Sequence, residues 1–172
     1  MRTDELVLNE VENRQGGVIS MRWELVPFEG LTRFEKTGPL MQLFLAWRRA
    51  AGDAKIPGAR AFDTKAAVAS SDAFVRVVDL EGDRIRVVEH NAVYVDWDRA
   101  VANTTEQLWL TVDLFGVKEY REPLYQHIDQ SIDGERRRFS RLLLPLGGAD
   151  DSVTDVVVAV NPNVHAFVGS DA

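Results

Sequence analysis

Cysteine is absent from all 172 residues. That removes disulfides, thiolate-held zinc or iron–sulfur centres, cysteine nucleophiles and cysteinyl photoadducts together. Histidine is scarce: His90, His127 and His165 stand far apart, with no H-x-H or H-x-x-x-H spacing, so no metal site is expected. No apolar run approaches the roughly 20 residues that span a bilayer. The acidic, broken N-terminus MRTDELVLNEVENRQGG does not read as a secretory signal, which makes the expected location cytoplasmic. Neither a G-x-S-x-G elbow, a P-loop nor a G-x-G-x-x-G turn occurs, leaving hydrolase and nucleotide-binding chemistry without support. Excess positive charge is missing too, since 20 Lys and Arg face 27 Asp and Glu for a net charge of −7. Nucleic acid and anionic membranes are polyanions and are therefore not expected partners.

What is present is ordinary globular composition, 45% hydrophobic and 27% charged, in a length that fits one domain. A polar leader ends in Gly16-Gly17, and Val18 to Phe28 is apolar enough to pack as a strand or a partner-binding arm. Residues 1–36 are accordingly read as an extension and 37–172 as the domain. Thr37-Gly38-Pro39 opens a helix in which Leu40, Leu43, Phe44 and Trp47 form one apolar stripe, and Gly52 is placed to end it. Asp63 caps a short second helix through Val68. Period-two alternation from Phe74, the Glu81-Gly82-Asp83 turn and a return through Ile85 and Val87 predict a β-hairpin. From Asp98 to Phe115 the pattern reads as helix in its first half and is ambiguous in its second. Pro123 predicts a helix carrying Leu124, His127, Ile128 and Ser131 on one side and stopping at Gly134. Arg136 to Leu146 and Thr154 to Val160 predict two closing strands around a Gly147–Asp151 turn. Two hairpins flanking helices give an α+β domain, an antiparallel sheet of four strands or a rearrangement of it, with helices on one face.

This order, with certain local motifs, resembles a family of short, largely stand-alone bacterial PAS proteins. The resemblance rests on the helix with central Trp47, on Pro57, Arg60, Phe62 and Asp63 in the following loop, on Arg141-Leu142-Leu143-Leu144-Pro145-Leu146, and on Gly147 to Asp151 before Val153–Val160. It covers roughly residues 40–161. It implies a PAS-like antiparallel sheet curved around a small-molecule pocket, and a sensory or signalling role through a protein partner or a homodimer rather than catalysis. The ligand or cofactor is left open by it.

The resemblance implies a pocket between the inward face of Phe74 to Val88 and the helices expected from Asp98 to Ile132. Its candidate lining is Val78, Ile85, Val87, Trp109, Leu124, His127 and Leu142, each of which also reads as plain core. His127 is either an axial ligand to haem or a buried histidine donating to a carbonyl. The candidate dimer interface is the arm (Trp23, Leu25, Phe28) together with the first helix (Leu40, Leu43, Phe44, Trp47). The run Arg136-Arg137-Arg138 reads as an anion contact or as a solvated strand end balancing Asp133 and Glu135. Two rival readings stand beside the sensor: a ketosteroid-isomerase-like pocket enzyme using Tyr94, Asp96 or His127, and an adaptor with a filled core and no ligand.

Overall fold

The computed structural model describes residues 11–12, 18–25, 31, 38–80, 85–91, 104–132, 135–148 and 152–162. For 11–12, 18–25, 104–109, 130–132 and 135–137 it gives the backbone path alone. The strands are β1 (Val11–Glu12), β2 (Val18–Leu25), β3 (Phe74–Asp79), β4 (Arg86–His90), β5 (Leu124–Ile132), β6 (Glu135–Gly147) and β7 (Val153–Asn161). The helices are α1 (Pro39–Ala51), α2 (Thr64–Ser70) and α3 (Thr104–Tyr120). The strands join one sheet of order β1-β2-β5-β6-β7-β3-β4, and every neighbouring pair is antiparallel. The architecture is α+β, as the alternation of hairpins and helices predicts.

Local chemistry explains the helices. Pro39 sits in the first turn of α1, and Leu40, Leu43 and Trp47 bury the predicted stripe. Gly52 then takes φ 57, where a Cβ is strained, and its N–H closes on the Arg48 carbonyl at 3.2 Å. Asp63 Oδ1 accepts from the Ala66 N–H at 3.0 Å and starts α2. Trp47 Nε1 donates to the Pro145 carbonyl at 2.7 Å, fastening α1 to β6 in the interior. The loop after α1 is fastened to the same strand: Gly147 donates to the Pro57 carbonyl and accepts from the Ala59 N–H, both at 2.8 Å. A Cβ on Gly147 would stand 3.1 Å from Ile56 Cδ1, so this approach favours glycine.

The core lies on β6 and β7. Every residue from Phe139 to Gly147 is buried, so β6 is covered on both faces rather than on one as expected. The α3 positions Leu110, Leu114 and Val117 join this core at helical spacing.

Several sequence expectations need correction. No helix follows Pro123; Leu124–Ile132 is β5, paired residue for residue with β6. Pro123 precedes a strand here, and Leu124, His127 and Ile128 satisfy helical spacing only because β5 is covered on both sides over 125–128. The ambiguous second half of Asp98–Phe115 is helical and runs on to Tyr120. The sheet exceeds four strands because β5 completes a three-strand meander with β6 and β7, and because β2, read as an arm, pairs along β5 from Ile19↔Ile132 to Leu25↔Gln126. Leu40, Leu43 and Trp47, expected at a dimer interface, are buried within the chain's own core, while Phe44 is half-buried and stacked on Trp47 at 6.0 Å.

Candidate ligand site

Among the described residues, three elements build a charged cluster in the interior. Cross-strand register places Gln126 of β5 opposite Arg141 of β6 on the face toward α3, and α3 sets Asp113 above them. Arg141 is 3% exposed. Its Nε and Nη2 donate to Gln126 Oε1 at 3.0 and 2.8 Å, and Nη2 also donates to Asp113 Oδ2. Gln126 in turn hydrogen-bonds the Asp113 carboxyl, so the triad is closed. Burial raises the Asp113 pKa above its ordinary value, and the Arg141 charge and the Gln126 hydrogen bond pull it back without restoring it. Such a cluster can hold an anion against a fixed planar fork of donors.

The opposite face of the same strands carries a neutral polar group. Tyr125 and His127, two apart on β5, meet at 3.0 Å between the hydroxyl and Nε2, with rings edge to face at 5.3 Å. Register places Ser140 beside His127 and Asn161 beside Ser140, all buried. Burial lowers the His127 pKa to about 4, so the ring is neutral at physiological pH. Further along that face Arg138 Nε pairs with Asp129 Oδ2 at 2.9 Å, which accounts for the described end of the arginine run as a local ion pair.

The residues singled out from sequence are scattered over these surfaces. Leu124 shares the Arg141 face, whereas His127 and Leu142 point to the other. Val78 is buried core at β3. Ile85 and Val87 are 39% and 42% exposed and line no interior. Trp109 lies on α3 one turn before Asp113, with its backbone alone described. Trp23 and Leu25 are placed on β2 in the same way, and Phe28, Tyr94, Asp96 and His165 lie outside the described residues. Among the described residues no three His, Asp or Glu side chains gather at metal-binding separation, and no helix is long and apolar enough to cross a membrane.

Gln126 and Asp113 were not singled out from sequence, and Arg141 entered only as the first residue of the Leu-rich motif, with no role at a site. A signal existed: Arg141 falls in phase with Leu143 in an apolar strand, and Asp113 falls inside the Leu110–Leu114–Val117 stripe. Polar residues at buried phases are those whose burial needs a reason. Comparison with protein-family models, with curated proteins and with solved structures returned no match.

Proposed function

We propose that this chain is a PAS-like sensory module that binds a small ligand beneath α3 and signals through protein contact, without catalysis of its own. The observation that carries the reading is the Arg141–Gln126–Asp113 cluster, because it ties one helix to two sheet strands through charge. A ligand that replaces one member changes how α3 is held, and a ligand shifts a conformational equilibrium only through such differential contacts. The element order after β1, β2, α1 and α2 supports the same reading: the β3–β4 hairpin, α3, then three closing strands, with β7 returning beside β3. The adaptor reading draws on a different observation, the continuous burial of Phe139–Gly147, which leaves the β6 side chains little free space.

Native and denaturing mass spectra of the protein purified from cells separate the two. The sensory reading expects an added mass in the native spectrum that vanishes on denaturation, and the adaptor reading expects the bare polypeptide mass in both. A homodimer in the native spectrum would add the route for signalling.

A further inference from the structure

We propose that Arg141 and Gln126 are the head-group site for a small monocarboxylate with an apolar body, and that Asp113 holds its place in the unliganded chain. This deepens the ligand-binding reading above and rests on it.

Three observations meet here. First, a guanidinium sealed in the sheet interior demands an anion, and its planar fork matches a carboxylate. Gln126 occupies Nε and Nη2 from below, and Asp113 approaches Nη2 through Oδ2. Second, Asp113 is the outermost member, its side chain 12% exposed, and space lies beside it. Gly116 is its i+3 neighbour on α3, and a Cβ built there meets nothing among the described residues within 4 Å. Glycine is disfavoured in a helix interior, and here it leaves a notch of open space beside Asp113. Third, the helix turn orders Asp113, Gly116, Val112 and Phe115 successively around α3, away from the sheet. Val112 and Phe115 are 53% and 49% exposed, an apolar strip that starts where the notch ends.

A carboxylate on Arg141 and Gln126, with its body across Gly116 onto Val112 and Phe115, uses all three. Binding exchanges one carboxylate for another at Arg141, and Asp113 turns into water. An apolar body distinguishes this ligand from acetate, which has the head group and leaves the strip bare, and from chloride, which has neither the planar head group nor the body.

The test uses the full chain, with octanoate, acetate and chloride as probes at matched ionic strength. Asp113→Asn removes the Asp113 charge from Arg141 and keeps the side chain's shape. Its unfolding midpoint should fall below that of the unsubstituted chain, and millimolar octanoate should restore it, acetate less and chloride not at all. Calorimetric titration should show Asp113→Asn binding octanoate at least tenfold more tightly than the unsubstituted chain. Adding Gly116→Leu should weaken that binding at least tenfold, and Arg141→Gln should abolish it. No restoration by octanoate, or equal restoration by chloride, overturns the proposal. So does octanoate binding that ignores Gly116→Leu. If Asp113→Asn does not fold, octanoate must raise the midpoint of the unsubstituted chain and not that of Gly116→Leu, and an equal response overturns it. The wider reading fails separately: octanoate binding with no mass retained from cells upholds this site against it, whereas a retained non-carboxylate mass without octanoate binding upholds the wider reading and sinks this site.

Discussion

The two faces of the β5–β6 pair bury polar groups in adjacent registers and treat them in opposite ways. Toward α3, Gln126 and Arg141 face each other and are joined by Asp113, so a charge is shared among three elements. On the other face Tyr125 and His127 are two residues apart on one strand and stay neutral together. The first arrangement makes the seating of α3 depend on an ion pair. The second joins two residues of β5 to each other. A buried charge is tolerated only with its partners in place, whereas a neutral hydrogen bond is modest in either direction. The contrast therefore predicts unequal sensitivity to substitution and to pH.

The largest effect is expected from Arg141→Met. It leaves the Asp113 carboxylate buried against a thioether and should destabilise the fold by about 3–5 kcal/mol, the usual cost of breaking a buried pair from one side. Arg141→Met with Asp113→Leu should recover most of that loss, because replacing both partners by apolar groups is often neutral. Urea denaturation of the two variants decides it. A double variant no better than the single one would place the Arg141 contribution in packing alone.

The pH response of the two faces should have opposite sign. Unfolded, His127 takes a proton near pH 6.5; folded, it resists protonation until about pH 4. Between those values the unfolded chain binds the extra proton, so stability falls as pH drops from 6.5, with the full loss reached near pH 4. The shift corresponds to a loss on the order of 3 kcal/mol. His127→Gln should remove that dependence. Asp113 works the other way: its folded carboxyl keeps a proton above 3.8, where the unfolded one has released it, so its contribution is lost as pH rises through the raised value. Denaturation midpoints at stepped pH for His127→Gln and Asp113→Asn, each subtracted from the unsubstituted chain, should slope in opposite directions. Parallel slopes would show that the two faces share one electrostatic environment.

How far the sequence carries this contrast depends on how each element is covered. α1, α2 and the β3–β4 hairpin are legible because one face is apolar and Pro39, Gly52 and Asp63 punctuate them. β6 and β7 are legible for another reason, their dense Leu and Val content, which β-propensity favours. β5 is not legible. Buried on both sides over Tyr125–Ile128, it hides its period of two, and Pro123 with Leu124, His127 and Ile128 imitates a helix start. Arg141 reads as the polar flank of Leu142–Leu146 until β5 is a strand, because only then does Gln126 stand opposite it. The candidate site was thus hidden behind one secondary-structure assignment: misreading β5 concealed both of the strand residues that Asp113 bridges.

The smallest effect belongs to the Tyr125–His127 pair. Tyr125→Phe removes the hydroxyl at 3.0 Å from His127 Nε2 and keeps the ring packing at 5.3 Å. A neutral hydrogen bond contributes about 0.5–1.5 kcal/mol net, and a loss near 1 kcal/mol is expected. The interior position decides whether the figure holds, since the histidine nitrogen left behind has no bulk water to take the hydroxyl's place. A loss nearer that of Arg141→Met would mean that Tyr125 and His127 belong to a network extending through Ser140 and Asn161, the buried polar residues next in register. A cycle with Ser140→Ala measures that directly: additive losses confine the interaction to β5, and coupling above about 0.5 kcal/mol spreads it across the sheet. In the second case both faces would be cross-strand devices, and the difference between them would reduce to charge.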